Sequence, residues 1–404
     1  MILGVFVVVY IGMLLGGLPR LRLDRTGIAL LGAIALLASG AITAEEALRG
    51  VDIPTLALLF GLMVISAQLR LGGFYTWVAR RLTSREASPA RLLAAVVAGT
   101  GVLSAVFSND IICLAMTPVL VDVCRRRGLD PYPFLIALAA AANAGSTATL
   151  IGNPQNMLVG QSADLSFAGY LLAAGPIAAA SLAVTWGVLA LQHRGHWTPQ
   201  AALPPDPGTD ALPSFDRWQT AKGLLVAAVL VVLFLVGSYP REIVALSGAA
   251  VLLCSRRLHS RDMLGLVDWQ LLVLFIGLFV VNHALQTTVY PEQAVAALAV
   301  RGVDVAAPGW LFILTVGLSN AISNVPAVML LLPMAETDSA ALLLAVASTL
   351  AGNLLLVGSV ANIIVADGAE RRGLSLDWRR HARSGVPITL ASLAIAALGL
   401  WVLA

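Results

Sequence analysis

Residues 92–123 read LLAAVVAGTGVLSAVFSNDIICLAMTPVLVDV, an apolar stretch broken near its middle by Ser108-Asn109-Asp110. Arg80, Arg81, Arg85 and Arg91 precede it, and Arg125, Arg126 and Arg127 follow it. A single crossing would put one basic cluster outside, against the tendency of Lys and Arg to stay in the cytoplasm. A re-entrant hairpin that enters and returns keeps both clusters inside, and 92–123 is read as one.

Reading 309–335 as a second hairpin gives a consistent topology. Loops 18–25, 70–91, 125–130, 192–222, 256–262 and 370–383 then face the cytoplasm. Of the 25 Lys and Arg residues, Arg49, Arg241 and Arg301 alone fall outside. The predicted spans are 2–17, 27–43, 53–69, 132–160, 167–191, 220–237, 243–255, 269–286, 340–366 and 385–403. The expected fold is an all-α integral membrane protein with about ten transmembrane helices, two re-entrant hairpins built from broken helices, and both termini outside.

Composition agrees. Of 404 residues, 59% are hydrophobic and 12% charged, with a mean hydropathy of +0.88. Soluble domains carry about 25% charged residues, so a cytosolic enzyme, a secreted disulfide scaffold and a nucleic-acid-binding protein are disfavoured. The first cations, Arg20, Arg22 and Arg25, follow the apolar start at Met1–Gly17. A signal peptide has its positive region in front, so this segment reads as a retained span. Cys113, Cys124 and Cys254 make neither a disulfide set nor a metal cluster and read as small buried hydrophobes.

The chain contains one plan twice. Residues 28–37 (IALLGAIALL) resemble 244–253 (VALSGAAVLL) at an offset of 216. Val51-Asp52-Ile53 matches Val267-Asp268-Trp269, and Phe60-Gly61-Leu62 matches Ile276-Gly277-Leu278, at the same offset. Ser108-Asn109 matches Ser323-Asn324, and Pro118 matches Pro333, at an offset of 215. The first hairpin is flanked by arginines and the second by Asp304, Glu336 and Asp338, with Arg301 alone opposing them. Opposite charge surroundings imply that the copies lie inverted in the bilayer, as in secondary transporters whose site sits between the repeats. The predicted division is 1–191, a cytoplasmic linker 192–219 stiffened by Pro199, Pro204, Pro205, Pro207 and Pro213, and 220–404. The chain has no GxxxxGK[ST] loop, which disfavours pumping by ATP.

Helix breaks survive in a bilayer where they are buried in protein or line a wet cavity, so they point to the site. One pair of breaks is the hairpin tips, Ser108-Asn109-Asp110 and the run from Ser319-Asn320 through Ser323-Asn324-Val325-Pro326. Ser and Asn suit N-cap positions there, and the helix ends suit an anion on one side and a cation on the other. The other pair is 143–156 (NAGSTATLIGNPQN) and 352–362 (GNLLLVGSVAN). From them Ser146, Thr147, Thr149, Asn153, Asn156, Ser359 and Asn362 offer neutral donors and acceptors at mid-depth. With Ser108, Asn109, Ser323 and Asn324 they form the predicted substrate site; a bound sodium ion, if one is used, would lie near those last four. Asp110 is the one acid well inside an apolar segment and is the predicted proton or cation site. Asp52 and Asp268 read as helix caps, and His283, the one histidine inside a predicted span, as a packing residue. No catalytic residue, resident metal or cofactor is expected, because no His pairs with a buried acid or Ser at a useful spacing.

At these motifs the chain resembles the ion transporter superfamily, in its arsenite permease, sodium–proton antiporter and divalent-anion symporter branches. Ser108-Asn109-Asp110 with the apolar run to Thr117-Pro118 is similar to the first hairpin of the arsenite permeases, and Gly358-Ser-Val-Ala-Asn362 to their second broken helix. The resemblance covers about residues 20–403. It implies a homodimer with a scaffold and a mobile transport domain working as an elevator. Dicarboxylate symporters have Ser-Asn-Thr at both tips; here Asp110 and Val325 replace the threonines. The expected function is secondary active transport of a small anion or oxyanion, dicarboxylate-like or arsenite-like, coupled to protons or sodium. The alternatives are sodium–proton antiport centred on Asp110 and a passive anion channel. The expected location is a cell membrane, in a bacterium the inner one.

Overall fold

The structure is a computed structural model that describes residues 1–17, 22–83, 88–198, 214–237 and 239–403. Arg20, Arg85 and the linker prolines lie outside the described residues. The first half of the chain forms α1 (Ile2–Leu15), α2 (Arg25–Ala38), α3 (Ala44–Gly50), α4 (Ile53–Leu71), α5 (Phe74–Thr83), α6 (Pro89–Val106), α7 (Asn109–Arg126), α8 (Tyr132–Ser146), α9 (Pro154–Ser162) and α10 (Phe167–Gln192). The second forms α11 (Arg217–Val236), α12 (Arg241–Leu253), α13 (Ser260–Leu264), α14 (Trp269–Gln286), α15 (Tyr290–Ala299), α16 (Pro308–Ile322), α17 (Asn324–Leu331), α18 (Asp338–Ala351), α19 (Val360–Glu370) and α20 (Trp378–Leu403). Each element of the first series has a counterpart in the second, in the same order.

Local chemistry places the helix starts. Asp52 accepts from Thr55 N at 3.0 Å and Asp268 from Leu271 N at 2.9 Å, so the two matched aspartates are matched caps. Their acceptor oxygens satisfy amides that the first turn leaves without helical partners. Glycine then sets the packing. A Cβ at Gly61 would lie 2.7 Å from the Ala245 carbonyl carbon, and one at Gly277 would lie 2.7 Å from that of Ala29. Gly61 and Gly277, like Ala29 and Ala245, are 216 residues apart, so the same close approach is made twice. It locks α4 to α12 and α2 to α14.

The helices sort into two packing groups. One contains α1, α2, α4, α11, α12 and α14; the other contains α6 to α10 and α16 to α20, with α10 lying along α20. Among the described residues six helices, α4, α6, α10, α11, α14 and α20, are long and apolar enough to cross a membrane. Several of the other apolar helices are shorter than expected: 14 residues in α2 reach only about 21 Å. The predicted spans 132–160 and 340–366 are each two helices with a break between, α8–α9 and α18–α19. Large apolar side chains such as Leu172, Val236 and Trp401 stand exposed on α10, α11 and α20. Such faces are liabilities in water and ordinary against lipid.

Candidate functional site

Both hairpins break at the predicted serines. α6 ends at Val106 and α7 begins at Asn109; α16 ends at Ile322 and α17 begins at Asn324. The serines hold N-cap positions, yet neither Ser108 nor Ser323 makes a side-chain capping bond, which corrects the capping expectation. At the first tip Asn109 Oδ1 instead accepts from Asp110 N at 3.0 Å.

The α8–α9 and α18–α19 breaks are built alike. Asn153 caps α9 by accepting from Asn156 N, and Ser359 caps α19 by accepting from Ala361 N. Asn156 Nδ2 donates to Ser146 O at 3.2 Å and Thr149 O at 3.1 Å. Asn362 Nδ2 donates to Gly352 O at 2.8 Å and Leu355 O at 3.1 Å. These partners correspond at an offset of 206. Each carboxamide thus takes up carbonyls that the break releases, which matters because an unmet buried backbone group costs as much as a lost hydrogen bond.

The tips and breaks meet through residues from both halves. Asn143 Oδ1 accepts from Asn109 Nδ2 at 3.0 Å and from Ser359 Oγ at 3.0 Å. Its Nδ2 donates to Asn353 Oδ1 at 2.7 Å and Asn362 Oδ1 at 3.4 Å. Thr349, the counterpart of Asn143, mirrors this: its hydroxyl lies 3.1 Å from Asn156 Oδ1, 3.3 Å from Asn153 Nδ2 and 3.2 Å from Gln155 Nε2. Asn324, its carboxamide oriented to satisfy its neighbours, donates to Gly358 O at 3.2 Å and Ser348 O at 3.1 Å and accepts from Gln155 Nε2 at 3.2 Å. At the first tip it is the Asn109 backbone N–H that donates to a break, to Gly152 O at 3.1 Å. All of these carboxamides are buried.

Of the predicted site residues, Asn109, Ser146, Asn153, Asn156, Asn324, Ser359 and Asn362 are brought together. Thr147 bonds back to Asn143 O, and Thr149 bonds to Ala105 O on the first hairpin. Ser108 lines a small void with Ser66 and Phe107. Ser323 is buried at its tip with a left-handed φ of 77°. The Asp110 side chain stands outside the hydrogen-bonded network, partly exposed at the start of α7.

Sequence reasoning missed Asn143, Thr349, Asn353 and Gln155 as members of the hub. It also missed Ser104, one turn before the first tip; its hydroxyl and that of Ser319, 215 residues on and one turn before the second tip, are buried with no partner among the described residues. Thr100 and Thr315 extend this stripe a further turn back, so Thr-x3-Ser-x3-Ser-Asn recurs in both hairpins. That recurrence was the available signal. His283 is not the one histidine on a spanning helix: α20 begins at Trp378, and buried His381 places Nε2 3.1 Å from Asn353 O. A cavity of about 360 Å³ lies between the two packing groups, lined by Asp52, Ser162, Asn282, His283 and Gln286 among others. The charge pattern of the sequence predicts the outer face for it.

Lipid-exposed apolar flanks around a shared, buried and uncharged polar centre define a polytopic membrane transporter. Residues 8–341 match the citrate transporter family, CitMHS, and the chain belongs to it. It is 30% identical to an uncharacterised transporter of Mycobacterium tuberculosis, covering 94% of each chain. It is 30% identical to the silicon efflux transporter LSI3 of Oryza sativa subsp. japonica, covering 93% of this chain and 92% of that one. It is also 30% identical to the inner membrane protein YbiR of Escherichia coli K12, covering 84% and 85%. Among solved structures, the Alcanivorax borkumensis YdaH transporter shares the fold, with a TM-score of 0.58 and 17% identity over 99% of this chain and 97% of that one.

Proposed function

We propose that this chain is a secondary active transporter of a small oxygen-rich solute, a carboxylate or an oxyanion or its conjugate acid, working by alternating access. The observation that carries the reading is the cross-repeat hub: Asn109 of one hairpin reaches Asn353, Ser359 and Asn362 of the other half through Asn143. A centre shared by two halves, residues 1–191 and 220–404, is reachable from either face when one packing group slides along the other, the elevator motion. Carboxamides and hydroxyls offer both donors and acceptors, which suits a solute with several oxygens. The family supports a citrate-like anion, and the relative LSI3, a silicon efflux transporter, supports a small silicon-containing solute.

Coupling to an ion supplies the driving force. Asp110, at the start of α7 beside the first tip, is the proton or cation site. The hydroxyls of Ser104 and Ser319, each a turn from a tip serine and without a partner among the described residues, favour a bound sodium ion in place of a purely protonic cycle. The protein works as a homodimer in the cell membrane.

Purified protein in proteoliposomes tests this. Citrate, arsenite, silicic acid, sulfate and phosphate are offered with an imposed proton or sodium gradient. Accumulation of one of them above its external concentration is expected. Flux that only dissipates the solute gradient would favour the channel. Sodium-driven proton movement with no solute required would favour antiport.

A further inference from the structure

Four polar bonds cross from one packing group to the other around the C-terminal turn of α9. Arg241, the first residue of α12, donates to Gly160 O at 3.0 Å and to Leu165 O. Gln161 Nε2 donates to Glu242 at 3.0 Å, and Ser162 Oγ to Asp52 at 3.4 Å. A guanidinium on the last carbonyls of a helix is favoured by charge, by its fork of donors and by the helix dipole. Yet α9 belongs to the group that holds the broken helices, and α12 to the other. Any sliding of one group along the other must break this contact.

The repeat contains a second copy of both halves of the contact. Arg25, the first residue of α2, stands 216 residues before Arg241. α19 ends as α9 does: Leu374 N donates to Ala369 O at 2.9 Å, as Leu165 N donates to Gly160 O at 3.1 Å. Gly373, at φ 73°, stands where Asp164, at φ 46°, makes the left-handed turn. Glu370 stands where Gln161 does. In the structure this second contact is not made, and Arg25 Nε is buried without a partner among the described residues.

We propose that Arg241 and Arg25 are the two ends of one clasp used in alternation. Arg241 holds the C-terminal turn of α9 in the state described here. Arg25 takes the corresponding turn of α19, with the Glu370 carboxylate as a further acceptor, in the opposite-facing state. Each arginine is a positioning residue for transport: it stabilises one end state and, by matching the other, keeps the two close in free energy. The inference rests on the alternating-access reading.

The test uses impermeant maleimide on whole cells expressing full-length protein with Cys254→Ser, which removes the exposed thiol, and Gln286→Cys as reporter. Cys113 and Cys124 are buried. Gln286 lines the outer cavity of this state. Arg241→Ala is expected to slow labelling by up to roughly tenfold, the usual weight of a charged hydrogen bond, and Arg241→Lys by less. Adding Arg25→Ala to Arg241→Ala is expected to bring labelling back toward the parent rate. A folding defect would expose the reporter and speed labelling, the opposite sign. Unchanged labelling in Arg241→Ala, or a double variant as slow as Arg241→Ala alone, overturns the clasp. Flux on the same variants separates the two readings: accumulation with unaltered labelling removes the clasp alone, and the expected labelling without accumulation removes the transport reading alone.

Discussion

The two hairpins begin from the same Ser-Asn and diverge at the next residue. At the first tip Ser108 has an ordinary φ of −54°, Asp110 follows, and α7 runs unbroken for 18 residues through Pro118. At the second, Ser323 is left-handed, buried Val325 follows, and α17 lasts 8 residues before tightening into a short 3-10 turn at Leu332–Met334. The hub behind the tips keeps its repeat-related pattern while the tips differ. In the proposed cycle the symmetric carboxamides would make the passage usable from both sides, and a charge on one tip only would supply the coupling-ion site. Backbone strain sits on the tip without the charge.

Four sets of substitutions sharpen or break that contrast, in order of expected effect. Asn143→Ala strands the carboxamides of Asn109, Asn353 and Asn362 together, and each unmet buried group costs about 1–3 kcal/mol. Transport should fall at least roughly a hundredfold and the melting temperature should drop; Thr349→Val, which removes one hydroxyl from the mirror position, should cost less. Near-native flux in Asn143→Ala would mean that the hub is not the site. Gly61→Ala and Gly277→Ala each push a methyl into facing backbone, at about 1–3 kcal/mol or more. Thermal melts should show losses of similar size, and a large loss from only one would break the symmetry of the scaffold.

Val325→Asp gives the second tip the acid of the first. An unpaired buried charge is expensive, so destabilisation of a few kcal/mol is expected, with altered ion dependence of any residual flux. Unaltered stability would show the two tips to be equivalent environments. Ser323→Gly releases a left-handed residue and should stabilise by about 1 kcal/mol. Ser108→Gly, at ordinary φ, should be neutral or slightly destabilising, and equal effects at both tips would remove the strain assignment.

Much of this was readable in the chain. The offset of 216 located Gly61 with Gly277 and Asp52 with Asp268, because helix caps and close helix crossings are local demands that a sequence must meet wherever they occur. The breaks were readable because Gly, Pro and carboxamides have few other reasons to crowd an apolar segment. The hub was not. Asn143 bonds to Asn353 and Asn362, 210 and 219 residues away, and only the packing of one half on the other makes them neighbours. The same holds for His381 against Asn353, and for Arg241, which read as a stray outer charge until α9 was seen to end beside it. The short α2 was also hidden, since hydropathy reports apolar length and not where the helix stops.

The central claim is that two tips from opposite repeats serve one passage. The most direct measurement is stabilisation by a transported solute in wild type, Asn109→Ala and Asn324→Ala, titrated side by side in detergent. The account predicts that both substitutions weaken binding of the same solute, each by roughly tenfold or more. Full affinity in either variant, with loss in the other, would contradict it.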